Sequence, residues 1–319
     1  MNSLKKSRIK TSNMDVAIVL ERMSRDERNL EVGSVSTDLA LLTYERAKAE
    51  AGTETKSCIG MALGMKVNGP VFEAFPFILS AHDSEGSAKV VKILRVPDGA
   101  SELSLRQKQV TLEAESCKFV HDSIVPMTRQ SIEIDVEMAA RVNCRVGKNE
   151  VLIMPWYTST LNQHPSNCLD WIASQGCRVL AALKYLHSFP GGGYVHMDVK
   201  AMNIFVDHTT RCFLGDFGSC VRIGDPITSC STTFCWKDVL RSPAHPKYDY
   251  FMLLVMILIE CMEDRRDYVR ALYVEGSRFV DVEKVLTVAR ARIDHHSIPA
   301  ELAILITEVL GVLGTCEMK

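Results

Sequence analysis

The 319-residue chain carries 37 basic and 39 acidic residues, a net charge of −2, with 47% hydrophobic and 24% charged residues. This balance excludes a collagen-like, mainly disordered or multi-span membrane protein, and gives no polybasic character for coating nucleic acid or docking on lipid. A chain of this length suits one domain of two lobes or two small domains, and its core needs no disulfide staple. The 11 cysteines are odd in number and form no Cys-x-x-Cys pair, which argues against a zinc ribbon and a disulfide framework. Reduced thiols point to a cytoplasmic or nuclear protein. The basic residues 1–10 are followed by no apolar stretch of signal-peptide type. The longest apolar run, 251–259, falls far short of the roughly 20 residues that span a bilayer, and reads as a buried helix.

In chain order, residues 1–57 read as a charged helical extension. Thr37-Asp38 caps a helix whose apolar face is Ala40, Leu41, Tyr44 and Ala47, stopped by Gly52. From Cys58 the texture changes to Gly, Val, Phe and Ile over 59–79, with a turn expected at Asn68-Gly69-Pro70. A second turn at 82–86 leads into a β-type run, 88–96. Residues 101–120 are helix-like, and 151–154 form another short strand. After Pro155 the pattern turns mainly helical, with 169–187 at helical spacing and 248–262 almost wholly apolar. The expectation is an α+β fold: a β-rich lobe over 58–154, a helical lobe over 155–319, and a cleft between them.

The densest chemistry lies in Tyr194-Val195-His196-Met197-Asp198-Val199-Lys200-Ala201-Met202-Asn203 and in Gly215-Asp216-Phe217-Gly218. Two carboxylates, an amide and an ammonium in one loop system suit magnesium-phosphate chemistry, because hard Mg²⁺ prefers oxygen ligands and phosphate prefers a cation. The combined spacing resembles the catalytic loop H-R-D-L-K-x-x-N and metal loop D-F-G of the eukaryotic protein kinases. Met197 replaces the Arg, so the loop is of the non-RD kind.

The resemblance implies roles. Asp198 matches the catalytic aspartate that accepts the substrate hydroxyl proton, and Lys200 the lysine that steadies the γ-phosphate. Asn203 and Asp216 match the two magnesium ligands, His196 and Phe217 the residues that pack the loop. Lys92, in Val90-Val91-Lys92-Ile93, resembles the strand lysine of V-A-I-K that holds the α- and β-phosphates. Gly64, Gly69 and Val71 fit the glycine-rich frame G-x-G-x-x-G-x-V, with Lys66 in place of the middle glycine. The glutamate on the helix that would ion-pair with Lys92 is Glu113 or Glu115; counting back from His121-Asp122-Ser123-Ile124-Val125, which resembles H-P-N-I-V, favours Glu113. Met154 stands as gatekeeper, Trp156 and Tyr157 as the backbone contacts of adenine, and Val90 and Phe205 as further nucleotide contacts. Ser231, Phe234 and Asp238 occupy the frame T-x-x-Y-x-A-P-E without matching it, and Asp249 resembles the aspartate that bonds the catalytic-loop backbone.

The implied function is an ATP- and Mg²⁺-dependent protein kinase acting on Ser/Thr hydroxyls of protein substrates, since Lys200 followed by Asn203 is the Ser/Thr arrangement. No nucleic-acid or membrane partner is expected. The alternatives are a pseudokinase scaffold, favoured by the altered glycine frame and missing A-P-E, and a small-molecule kinase, disfavoured by Lys200 and the D-F-G triplet.

Overall fold

The computed structural model describes residues 58–314 apart from 73–74, 95–102, 137–138, 140–143, 165–167, 238, 263–270, 278 and 295–297. The expected helix over the 37–52 region and the role given to Asp238 lie outside the described residues. The order of elements is α+β, with a sheet first and helices after.

Helix α1 (Cys58–Leu63) was not expected, since the local composition reads as strand. It ends where Gly64 takes φ +64°, and the Met65 and Gly64 N–H groups return to the Gly60 and Met61 carbonyls. That pair of bonds satisfies the last turn, and the left-handed φ favours glycine. β1 (Lys66–Phe72), β2 (Phe75–His82) and β3 (Ala88–Leu94) then run as an antiparallel meander. The expected turn at Asn68-Gly69-Pro70 is instead the interior of β1, where a bulge at Gly69 (φ +141°) absorbs the irregularity. The turn at 82–86 forms as expected: Asp83 Oδ1 accepts the N–H groups of Glu85 and Ser87.

Helix α2 (Leu103–Glu115) follows, continued by a 3₁₀ turn (Ser116–Lys118). β4 (Thr128–Ile134) and β5 (Gly147–Pro155) complete a five-stranded sheet in the order β1-β2-β3-β5-β4. β4 escaped sequence reading because Thr128 to Ser131 are all exposed and the strand lies at the edge, where no apolar alternation is required. Ala114 of α2 packs with Leu94 and Leu152, which fixes the helix against β3 and β5.

The short strand β6 (Ser159–Thr160) leads into helices. α3 (Leu169–His187) buries Ile172, Ala173, Gly176, Val179, Leu180, Leu183 and Leu186, spaced at three and four. Gly176 interrupts a good helix former for a packing reason: a Cβ there would lie 2.5 Å from Leu305 Cδ2. Short strands β7 (Tyr194–Val195), β8 (Ile204–Val206), β9 (Cys212–Leu214) and β10 (Val221–Arg222) pair as β10-β7 and β6-β8-β9. α4 (Lys247–Glu260) is buried on every side from Tyr248 onward, as its apolar composition requires. α5 (Val282–Asp294) and α6 (Ala300–Gly314) close the described chain, and α3, α4 and α6 share one core. Among the described residues, no helix is long and apolar enough to cross a membrane.

Candidate active site

The loop from β7 to β8 is shaped by one carboxylate. Asp249, in the first turn of α4, is fully buried, and its Oδ2 and Oδ1 accept the N–H groups of His196 at 2.7 Å and Met197 at 2.8 Å. His187 Nε2, at the end of α3, lies 2.9 Å from Oδ2. Two successive amides can point at one carboxylate because Met197 takes φ +65°, a left-handed conformation that costs a non-glycine residue about 1 kcal/mol or more. The turn carries Asp198 inward. Asn203 Nδ2 donates to Asp198 Oδ2 at 2.7 Å and to the Asp198 carbonyl at 2.9 Å. Lys200 Nζ lies 3.2 Å from Asp198 Oδ1, and all three side chains are buried.

The second cluster joins the sheet to this loop. Lys92 Nζ, on β3, meets Glu113 Oε1 of α2 at 2.6 Å and Asp216 Oδ1 at 2.8 Å. Burial alone would depress the lysine pKa; Asp216 and Glu113 outweigh it, and the ammonium is held above its ordinary value. The two carboxylates diverge. Desolvation, aided by the Asp216 charge, raises Glu113 despite Lys92. Asp216 feels the same desolvation, but Lys92, then Lys200, lower it below the usual carboxylate range. Asp216 therefore stays ionised in the presence of its neighbour.

Asp216 itself has φ +57°, and the next ring, Phe217, packs between His196 at 5.0 Å and Phe119 at 5.4 Å between centroids. His196 Nε2 lies 3.0 Å from the Gly215 carbonyl. A carbonyl only accepts, so Nε2 carries the proton and Nδ1 is left to accept the Asp198 N–H, 3.3 Å away. Gly215 is required by space: a Cβ would lie 2.7 Å from the Phe205 ring and 2.8 Å from Val125. The Gly215 N–H donates to the Asn203 carbonyl at 3.0 Å, which sets Asn203 beside the Asp216 turn.

Lys92, Asp198, Lys200, Asn203 and Asp216 thus fall into two adjoining clusters. Glu113 is the residue within reach of Lys92. Glu115 faces elsewhere, with its Oε2 3.7 Å from Arg222 and 3.4 Å from the Tyr194 hydroxyl. The glycine frame is not gathered in one loop. Gly64 caps α1, Gly69 lies inside β1 opposite Ser80, and β1 gives way to β2 after Phe72. Val71 is buried near that end of β1, while Val90 pairs opposite Met154.

The Trp156 N–H, one of the backbone groups expected to contact adenine, is spent on the Ala88 carbonyl at 3.2 Å. In a trans peptide the preceding carbonyl points the other way, so Pro155 O faces away from β3. Tyr157 packs on Phe205 and Phe213 at 5.5 and 5.3 Å. The Ser231 N–H donates to the Met197 carbonyl at 3.2 Å, tying the later segment back to the loop. His187 was read only as the end of a helix; its contact with Asp249 spans 62 residues and leaves no local signature.

No family model matches the chain. A nodulation receptor kinase of Pisum sativum is 30% identical over 107 residues, 31% of this chain. The serine/threonine-protein kinase ArnS of Sulfolobus acidocaldarius is 26% identical over 167 residues, 42% of this chain. The matches span 10% and 26% of those two proteins. Both relatives are protein kinases, so these distant, partial similarities suggest the protein-kinase-like superfamily as what the chain resembles.

Proposed function

We infer that the chain is a protein kinase of two lobes that transfers the γ-phosphate of ATP to Ser/Thr hydroxyls of protein substrates. The observation that carries this reading is Lys92 between Glu113 and Asp216, which brings a cation of the sheet to the turn beside Asn203. In this reading Lys92 holds the α- and β-phosphates. Val90, Met154, Phe205 and the Pro155 carbonyl would border the adenine, the carbonyl accepting from its exocyclic amine. Asp198 accepts the proton of the attacking hydroxyl, and Lys200 stabilises charge on the phosphoryl oxygens in flight.

Asn203 and Asp216 would hold Mg²⁺. Among the described residues the buried Asn203 Oδ1 has no hydrogen-bond partner, and an amide oxygen with a carboxylate kept ionised is the hard donor set this ion takes. What the ion supplies when bound is neutralisation of phosphate charge. The nine cysteines from Cys117 to Cys261 are free thiols, which supports a reducing compartment, cytoplasmic or nuclear.

Asp216→Asn tests the reading. The variant keeps its far-UV circular dichroism, while transfer from Mg-ATP falls at least about 10³-fold, roughly 4 kcal/mol of barrier. Near-full activity of the variant overturns it. A nucleotide-binding scaffold without transfer is the second reading, favoured by the place of the glycines. Gly64 ends α1 and Gly69 lies inside β1, so neither stands in a loop between strands where its backbone N–H could meet a phosphate. A thermal shift with Mg-ATP in wild-type protein that transfers no phosphate would select it.

A further inference from the structure

The helix that supplies Glu113 carries a second polar side chain one turn earlier. Gln109 and Glu113 are four residues apart on α2 and share a face. Gln109 Nε2 donates to the Gly218 carbonyl and, at 3.3 Å, to the Cys220 carbonyl. Both oxygens only accept, so the amide orientation is forced and Oε1 faces the other way. There it accepts the Thr228 hydroxyl at 2.8 Å. Alongside, the Ser229 hydroxyl donates to Ser219 Oγ at 3.1 Å.

One neutral side chain therefore stitches three places together: the helix bearing Glu113, the chain just past Asp216, and Thr228 further along. Lys92 needs both of its carboxylates at once, at 2.6 and 2.8 Å. A displacement of α2 by about an ångström would take Glu113 out of hydrogen-bond range of the lysine. We propose that Gln109 is a positioning residue, an uncharged latch that holds α2 against residues 218–228 so that Glu113 and Asp216 close on Lys92 together. Its consequence for turnover rests on the phosphotransfer reading above; its effect on the segment does not.

The test uses the full chain with Gln109→Lys, Gln109→Glu and Gln109→Leu. Lysine still donates to the two carbonyls. Glutamate sets a carboxylate against them, and leucine makes none of the three bonds. A space-filling role at this half-buried position treats the three alike. Deuterium exchange of amides 217–222, measured without nucleotide, should be at least tenfold faster in Gln109→Glu and Gln109→Leu and within threefold of wild type in Gln109→Lys. Thr228→Val should speed exchange two- to fivefold in wild type and add nothing in Gln109→Leu. In phosphate transfer, kcat should drop at least tenfold in Gln109→Glu while KM for a peptide acceptor moves less than twofold. Equal exchange in wild type and Gln109→Leu overturns the latch, as does equal acceleration in the lysine and leucine variants; this pair decides alone if Gln109→Glu does not fold. If wild type transfers no phosphate while the exchange pattern holds, the phosphotransfer reading fails and the latch stands.

Discussion

The loop 196–203 and the Lys92 cluster meet at one site but are held by opposite means. The loop is fixed by directional hydrogen bonds to its own backbone: Asp249 takes two successive N–H groups, and Asn203 returns to the Asp198 carbonyl. Lys92 is fixed by charge, between Glu113 on a neighbouring helix and Asp216, 124 residues along the chain. Hydrogen bonds from successive N–H groups set geometry within tenths of an ångström. A cation shared by two buried carboxylates is a charge balance, and its strength depends on which carboxylate is ionised. The loop is thus the rigid half of the site, and the Lys92 cluster the half that substitution and pH can tune.

The largest effect should come from breaking the rigid half. Asp249→Ala leaves the buried His196 and Met197 N–H groups without acceptors and the left-handed Met197 without its restraint. At about 1–3 kcal/mol for each unpaired buried donor, unfolding in urea should show a loss of about 2–6 kcal/mol. A loss under about 1 kcal/mol would mean that the loop holds its own shape and that the contrast drawn here is false.

Lys92→Met breaks the other half. Turnover should drop about 100-fold, roughly 2.7 kcal/mol, while the fold survives. The pH dependence carries the sharper test. In the native protein Glu113 is raised, so its contribution to stability is present below its unfolded pKa, 4.5 for an ordinary glutamate, and is lost as pH rises through its folded value. Asp216 is depressed, so its contribution is present above the ordinary 3.8 and is lost as pH falls through its folded value. Without Lys92 the lowering influence on both carboxylates disappears, and the folded variant takes up more protons than the unfolded chain in mild acid. Its stability deficit relative to wild type should narrow from pH 8 to pH 5, read as the gap between urea midpoints. A gap that is flat with pH would show that the two carboxylates do not depend on the lysine.

Glu113→Gln and Glu115→Gln separate two residues that the sequence left in competition. Glu113 is buried against Lys92, whereas Glu115 pairs at 3.7 Å with an Arg222 side chain that is 42% exposed. Glu113→Gln should cut turnover about 30-fold, near 2 kcal/mol, with Lys92 still paired to Asp216. Glu115→Gln should change it less than about twofold, as exposed pairs contribute little. Equal losses would show that the helix acts as a unit and that Lys92 has no preferred partner.

What the sequence made legible follows the same division. His196, Asp198, Lys200, Asn203 and the Gly215–Gly218 turn lie within about two dozen residues, and their spacing is itself the constraint, so pattern alone brings them together. α3 matched its expected bounds because apolar residues at three and four must share a face. The helix register was not legible, because either glutamate of α2 satisfies the local pattern and only packing of Ala114 on Leu94 and Leu152 sets the rotation. The glycine frame misled for a related reason. Spacing of Gly64 and Gly69 resembles a loop, yet the first glycine ends a six-residue helix and the second fills a bulge. Gln109 and His187 left no signal at all, since their partners lie 109 and 62 residues away.

The smallest effect should come from removing phosphate between residues 219 and 231. Met197 stands where the resemblance would place an arginine that pairs with a phosphorylated residue. A buried guanidinium there without its phosphate is an uncompensated charge, and that penalty makes order depend on phosphorylation. Here the thioether is fully buried and needs no ionic partner, while the Met197 backbone is tied at both ends, to Asp249 and to the Ser231 N–H. Thr228 and Ser229 already spend their hydroxyls on Gln109 and Ser219 in neutral hydrogen bonds. Such bonds contribute about 0.5–1.5 kcal/mol each, and less where solvent reaches them. Protein made in a bacterium and treated with phosphatase should therefore keep most of its activity, and Thr228→Ala with Ser229→Ala together should slow turnover less than about tenfold, or 1.4 kcal/mol. Activity that collapses on phosphatase treatment and returns on rephosphorylation of this segment would show that a basic residue other than the one missing at 197 takes the phosphate. The flexible half of the site would then be governed by charge along the whole segment and not only at Lys92.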